Sequence, residues 1–379
     1  LDRRTADLGT NADRGVTLAA GDGRIWGMTG TERLQRTFRR ARLRDATGEN
    51  LESESGGVVL VRADWVYDEG LIAALAKRPG ALLIGPQGQP LAAHVEASEA
   101  ARVAAALERG GEADALAGLE RLDPAALAYN VALRKREPPV LEPLSADRVR
   151  AVEARLFKGS YKGVTDLVTK HVWPVPARIV TRWCALAGIT PNQVTLAGFV
   201  LVIAAFVLFW QGHFAAGLVC GWIMTFLDTV DGKLARVTLT SSKWGNIFDH
   251  GIDLVHPPFW WWAWYVGVQH GPHPLPYAEL MLGVVLVGYV AQRVVEGVFM
   301  RMFGMHVHAW RRFDSWFREI TARRNPNLIL LTGCALFGRP DVGFAAMALW
   351  TVLSFLVHVA QLGQAMAAPK GSVVSWLSR

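Results

Sequence analysis

Four aspartates, Asp228, Asp231, Asp249 and Asp253, fall within the run Phe226 to Asp253, FLDTVDGKLARVTLTSSKWGNIFDHGID. The first pair stands three residues apart and the second four, so each pair shares one face of a helix. Long apolar stretches adjoin the run, and a carboxylate near a bilayer costs roughly 2.5–3.5 kcal/mol even on the mild insertion scale. Four together demand a cation. Two helices joined by a short loop are antiparallel neighbours, which lets the two faces converge into an oxygen-rich cage suited to Mg²⁺, Mn²⁺ or Ca²⁺, with charge enough for two ions. Cys184, Cys220 and Cys334 are isolated, so neither thiolate zinc nor a disulfide framework is expected. Gly232 and Ala235 leave space beside the second carboxylate, and Gly245 lets the following helix come close. Lys233 and Arg236 carry the charge that a pyrophosphate needs, the arginine with bidentate geometry.

The elements that must position these groups divide the 379 residues into two solvents. Residues 1–140 read as a soluble α/β domain, with apolar strand candidates at Gly15–Ala20 and Gly57–Arg62 and helical stretches near 68–78 and 95–121. Residues 141–190 read as a linker with a charged helix at 145–159 and a juxtamembrane amphipathic helix at 166–188. Its stripe of Val168, Val172, Val175, Ile179 and Trp183 alternates with Lys170, Arg178 and Arg182. Six spanning helices are predicted in 191–379, near 194–211, 213–236, 244–268, 277–301, 326–337 with flanking residues, and 340–366. The fold class is therefore an α-helical integral membrane protein of six transmembrane helices plus an interfacial amphipathic helix, preceded by a soluble α/β domain. Net charge is +7 with pI near 9.5, but the basic residues gather beside apolar runs, which fits anionic lipid and not nucleic acid. Arg236 and Lys243 follow the second span and Arg301 to Arg324 the fourth, so those loops, both termini and the aspartates are expected on the cytoplasmic side of a bacterial-type inner membrane. The polar opening Leu1-Asp2-Arg3-Arg4 leads to the same expectation for the first domain.

The aspartate run resembles the signature of the CDP-alcohol phosphotransferase family at every fixed position: Asp228, Asp231, Gly232, Ala235, Arg236, Gly245, Asp249 and Asp253. Pro191-Asn192-Gln193-Val194-Thr195 is similar to the family's usual lead-in to the first span, and the resemblance covers about residues 160–366. It implies a six-helix membrane fold, usually a homodimer, with a cytoplasmic polar cavity and two Mg²⁺ or Mn²⁺ ions. Asp228, Asp231 and Asp249 would be metal ligands, and Asp253 the general base for the acceptor hydroxyl while touching a metal. The CDP moiety would meet Asp228, Gly232, Lys233, Ala235, Arg236 and Gly245. The implied reaction moves a phosphoalcohol from a CDP-linked donor to an acceptor alcohol with release of CMP, at least one substrate being a lipid.

Arg293 and Glu296 interrupt the fourth predicted span at i, i+3, and ionisable residues there face a cavity or each other. They are candidates for acceptor binding or a structural ion pair, and Arg323, Arg324 and Asn325 at the start of the fifth span are candidates for acceptor phosphate or anionic lipid. His306 and His308 suggest metal only weakly, and Trp260, Trp261, Trp262 and Trp264 read as interfacial anchors. In the first domain Leu18 to Arg24, LAAGDGR, resembles the glycine-rich nucleotide loop of the nucleotidyltransferase fold, with Asp64 and Asp68 in place of its metal aspartates. Thr31-Glu32-Arg33-Leu34 stands where that family has its phosphate-binding lysine, so a degenerate module with a structural, docking or regulatory role is expected; the rival is a cytidylyltransferase that makes the CDP-alcohol. Two further rivals are a cation transporter, disfavoured because the aspartates gather near one interface and not along a pore, and a non-catalytic scaffold, which leaves four costly charges without a purpose.

Overall fold

The computed structural model describes residues 12–46, 56–110, 116–127, 129–130, 133–369 and 371–378, without the side chains of Tyr129, Lys243, Asn246, Asp249 and His250. Its contacts divide the chain into two compact units. One gathers the described residues through Asn130 with Arg136–Tyr161 and Arg236–Thr240; the other holds Val131–Lys135, Lys162–Ala235 and the described residues from Ser241 onward.

In the first unit, β1 (Ala12–Ala20) pairs in parallel with β4 (Arg44–Ala46) and β5 (Gly57–Ala63). Between β1 and β4 lie the short β2 (Arg24–Ile25) and β3 (Met28–Thr29), an antiparallel pair. β6 (Trp65–Tyr67) pairs outside the main sheet with the return strand Leu141–Pro143. β7 (Ala81–Ile84), β8 (Pro90–Glu96) and β9 (Glu120–Leu122) complete a six-stranded sheet in the order β4-β1-β5-β8-β7-β9. β5 is a near-continuous apolar run because both faces are covered. Val59 and Val61 join a core with Leu34 and Phe38 of α1 (Gly30–Arg40) and Leu71 and Ile72 of α2 (Glu69–Ala76). Val58 and Leu60 face Val103 and Leu107 of α3 (Ala97–Glu108). α4 (Val149–Gly159) follows the return strand.

The second unit is helical. A π-turn at Val168–Val172 leads into α5 (Pro174–Leu186), whose Val175, Ile179 and Trp183 are exposed. α6 (Pro191–Trp210) starts at the Thr190 cap, which exchanges hydrogen bonds with Gln193. It is followed by α7 (Phe214–Val237), α8 (Lys243–Gln269) and α9 (Ala278–Phe303). α10 (Arg312–Ile320) precedes α11 (Arg324–Leu336) and α12 (Pro340–Ala367). Among the described residues, α6, α7, α9 and α12 are long and apolar enough to cross a membrane. The protein is an integral membrane protein. α8 has the length, at 27 residues, and α11 has only 13, which rise about 20 Å.

The tryptophans of α8 correct the expectation of an interfacial belt. Trp260, Trp261 and Trp264 are 0–1% exposed inside the helical core, and only Trp262 is open, at 40%. Two buried indoles find carbonyl acceptors, Trp260 Nε1 at Val202 O (2.9 Å) and Trp264 Nε1 at Pro340 O (3.1 Å). Pro257 and Pro258 lie inside α8, and a proline at 258 deprives the Leu254 carbonyl of its helical donor. Tyr289 Oη supplies it, donating to Leu254 O at 2.9 Å.

The outer ends of α6 and α8 approach closely, since a Cβ at Gly267 would lie 2.1 Å from Phe209 O. Gly267→Ala is expected to destabilise the protein by about 1–3 kcal/mol through overpacking, seen as a lower unfolding temperature in detergent. An unchanged transition would show that the two helices can part at no cost.

Candidate active site

Asp228 and Asp231 lie on α7, and Asp253 about one turn before the proline pair of α8. Asp249 belongs to α8, but its side chain lies outside the described residues. Thr195, one turn into α6, places its hydroxyl 2.6 Å from Asp231 Oδ2. Arg324, the first residue of α11, donates through Nη2 to Asp228 Oδ2 at 2.5 Å and through Nη1 to Asp253 Oδ1. One guanidinium therefore bridges carboxylates of two helices. A cavity of about 10 Å³ lies among Thr195, Met224, Asp228, Asp231, Ile252 and Asp253, close to the size needed for one small guest.

This donor set fits a hard divalent cation. Its oxygens come from carboxylates and a hydroxyl, and a positive group already sits between Asp228 and Asp253, where an ion would offset the same repulsion. Around it, a Cβ at Gly245 would lie 3.0 Å from both Asn192 Oδ1 and Ser242 Oγ, so the starts of α6 and α8 are held close. Gly232 and Ala235 are half-buried on α7. Lys233 departs from the expected place at an open mouth: it is 4% exposed, packed within the helical unit. Arg236 directs Nη1 to the Ser160 carbonyl at 3.3 Å.

The other sequence candidates form a second polar cluster. Arg323 Nη2 donates to both oxygens of Glu296 at 2.6 and 2.5 Å, and Arg293 Nη1 reaches the same carboxylate at 3.3 Å. Ligand atoms of Glu296, His308 and His358 lie within 4.8 Å of one another, the spacing of a possible metal-binding group. Glu296 is already engaged by two guanidinium groups, which disfavours a further cation there. His306 stands outside this trio. Asn325 ties α11 to the juxtamembrane segment, its Nδ2 donating to Asp166 Oδ1 at 2.9 Å.

Two arginines of this region escaped sequence reasoning because they looked like ordinary linker and loop charges. Burial lowers Arg134 to about 10, helped by neighbouring Arg323, and lowers Arg318 well below the usual arginine range. Buried Nε atoms of Arg134, Arg293, Arg318 and Arg323 have no hydrogen-bond partner among the described residues, and neither does Arg318 Nη1. Unsatisfied N–H groups on four converging cations are the chemistry of an anion site.

In the first unit the glycine-rich turn is covered by the chain itself. A Cβ at Gly21 would lie 2.8 Å from Leu144 O, and one at Gly23 would lie 2.7 Å from Leu144 Cδ1. Leu144 N donates to Asp64 O at 2.7 Å and Ala146 N to Asp22 Oδ1 at 3.2 Å. Arg62 grips the Asp64 carboxylate at 3.0 and 2.5 Å, and Asp68 caps α2 through Gly70 N.

A family model for CDP-alcohol phosphatidyltransferases matches residues 188–355, which include every aspartate of the cavity. This segment resembles a CDP-alcohol phosphatidyltransferase domain. The chain is similar to an archaetidylinositol phosphate synthase of Pyrococcus horikoshii, 26% identical over 194 residues that make up 48% of this chain and 89% of that protein. It is also similar to cholinephosphotransferase 1 of Danio rerio, 31% identical over 31% of this chain and 32% of the relative. A choline/ethanolaminephosphotransferase of Arabidopsis thaliana is 35% identical over 27% of this chain and 29% of its own length. The chain thus spans about a third of the latter two relatives. Residues 188–355 are thus similar to the CDP-alcohol phosphatidyltransferase domain, and the relatives that share this segment are a phosphate synthase and phosphotransferases by name.

Asp166 holds the juxtamembrane segment to α11. Burial pushes its carboxyl up, but Arg318 and hydrogen bonds from Thr169 and Asn325 outweigh this and hold it below its ordinary 3.8. A depressed folded pKa gives stability that is fully present above the unfolded value and is lost as pH falls through the folded one. Asp166→Asn is therefore expected to lower the unfolding temperature at neutral pH, with the gap to the parent narrowing below about pH 4. A gap independent of pH would assign the loss to packing alone.

Proposed function

We propose that the membrane unit transfers a phosphoalcohol from a CDP-linked donor to an acceptor alcohol and releases CMP. The observation that carries this reading is the convergence of Asp228, Asp231 and Asp253 on one small cavity inside the family-matched segment. Two Mg²⁺ or Mn²⁺ ions, when bound by Asp228, Asp231, Asp249 and Asp253, would neutralise the pyrophosphate and stabilise the departing CMP. Asp253 takes the proton of the acceptor hydroxyl. The alcohol oxygen forms the new P–O bond, and the bond to the CMP phosphate breaks in line. Arg324 holds Asp228 and Asp253 together until the donor's charge and its ions arrive, and then turns to phosphate oxygens. Gly232, Ala235 and Gly245 give the cytidine moiety its close approach.

The unsatisfied N–H groups of Arg134, Arg293, Arg318 and Arg323 favour a second feature, an anionic group on the water-soluble substrate held beside Glu296 and Asn325. The proposal includes six spans, with α8 and the short α11 added to the four apolar helices, and α5 lying in the headgroup plane with Val175, Ile179 and Trp183 downward. Both termini and the cavity face the cytoplasm, and two copies form the working unit, as the family resemblance implies. The first unit acts as scaffold and not as a cytidylyltransferase, because Leu144 fills the space over its glycine turn and Arg62 occupies Asp64.

Purified protein supplied with a CDP-linked donor, an alcohol panel and Mg²⁺ or Mn²⁺ is expected to release CMP only when both substrates are present. Chelation should abolish release, and Asp253→Asn should reduce it by about 10²-fold or more. Full activity in the variant would remove Asp253 from its role as base. CTP is expected to leave the unfolding temperature of the full chain unchanged; a CTP-dependent rise would restore the bifunctional reading.

A further inference from the structure

The last residues of α7, Arg236 and Val237, belong to the first unit, although Asp228 and Asp231 of the same helix belong to the second. A helix leaves its final carbonyls without internal donors, and these must be satisfied from elsewhere. Ser241 Oγ donates to Ala235 O at 3.2 Å, and Leu239 N to Arg236 O at 3.3 Å. The next two carbonyls take side chains of α1: Arg33 Nη1 donates to Val237 O at 2.8 Å and Arg36 Nη1 to Thr238 O at 2.7 Å. Both of these bonds lie inside the first unit.

Arg33 is 6% exposed and Arg36 half-buried. Burial lowers the Arg33 guanidinium to about 10, with Glu69 and Asp68 opposing the fall, so it remains a cation at neutral pH. A cation at the carbonyl end of a helix also meets the negative end of the helix dipole. Thr31-Glu32-Arg33-Leu34 stands where the nucleotidyltransferase fold has its phosphate-binding lysine, and the cation of that stretch here grips a helix end. The turn that follows is strained. Leu239 is buried with φ +58°, a left-handed conformation unfavourable for any residue with a Cβ, and such a residue persists only where its surroundings over-determine it.

We infer that Arg33 and Arg36 are positioning residues for the aspartate helix: by fixing the end of α7 they set the depth and rotation at which Asp228 and Asp231 meet a divalent cation. The link from tie to carboxylates is covalent, since Val237 stands about 9 Å beyond Asp231 along one continuous helix. A working site tolerates errors of only about 0.5 Å in its ligands, so a helix whose end is freed to turn or slide loses metal geometry before it loses its fold. The inference rests on the proposed reaction and deepens it, because it gives the first unit a defined task there. Neither arginine touches substrate; both act through the backbone they hold.

The test uses the full chain in detergent, with Mn²⁺ binding followed by electron paramagnetic resonance and hydrogen–deuterium exchange followed in the peptide that covers 232–243. Arg33→Ala and Arg36→Ala should each speed exchange at the end of α7 and weaken Mn²⁺ binding about fivefold. Should Arg33→Ala fail to fold, Arg36→Ala, at the half-buried position, carries the test. Arg33→Lys, which keeps a charged donor for a single carbonyl, should restore most of both readouts. Arg39→Ala, which removes an exposed charge from the same helix, should change neither, and an equal loss there would make the effect one of net charge and overturn the inference. Faster exchange at parental Mn²⁺ affinity would leave the arginines a purely structural role, and unchanged exchange would show that the end of α7 needs no tie; either result overturns it. A parent that binds no Mn²⁺ would fell the proposed reaction and this inference together, whereas a parent that binds it and variants that bind it equally well would fell the inference alone.

Discussion

Carboxylates in a membrane enzyme must be held by a cation, and the Asp228–Arg324–Asp253 bridge is the form this requirement takes here. It joins α7, α8 and α11 through one planar group, so three helices share a single electrostatic restraint. Taking one partner away would leave the remaining charge without its compensation, at a cost that solvent softens at the more open Asp253. The fold around the cavity thus leaves neither carboxylate without a counter-charge, and in the proposed reaction metal and phosphate would take the place of the guanidinium.

The packing of the helices serves the same end. Gly245 and Gly267 bring α6 and α8 together at both ends, and the Trp260 and Trp264 indoles pack against Phe209 of α6. The proline pair interrupts the hydrogen-bond ladder of α8 one turn beyond Asp253, and Tyr289 from α9 supplies a replacement donor. A break in the ladder next to the Asp253 carboxylate is thus tied to the neighbouring helix.

Much of this was legible in the sequence, for reasons that differ by element. The aspartate signature stood out because chemistry fixes residue identity as well as spacing, and α6, α7, α9 and α12 stood out because lipid demands long apolar runs. β1 and β5 showed as short apolar runs beside glycine turns, whereas β7 and β8, ALLI and PLAAHVE, have the Ala and Leu content of helices and take strand form only through their neighbours. Trp260, Trp261 and Trp264 were misread because an aromatic cluster has the same composition in a membrane belt and in a helix–helix core. Arg134 and Arg318 lie far apart in sequence and become one cluster only by folding, and the burial of Lys233 depends on neighbours that a motif does not name. Leu144 over the glycine turn is of the same kind, a contact spanning more than a hundred residues.

α11 adds a constraint of a different sort. Its 13 residues rise about 20 Å, against a hydrocarbon layer of about 30 Å. Such a mismatch is relieved by thinning the bilayer locally or by drawing polar flanks inward. In the six-span arrangement proposed above, such an indentation would fall at Arg324 and hence beside the carboxylate cavity, and water and headgroups would reach oxygens there that lie out of their depth beside a full-length helix. On that arrangement the membrane itself would be part of the protein's surface relief, and bilayer thickness a variable on which access to the cavity depends.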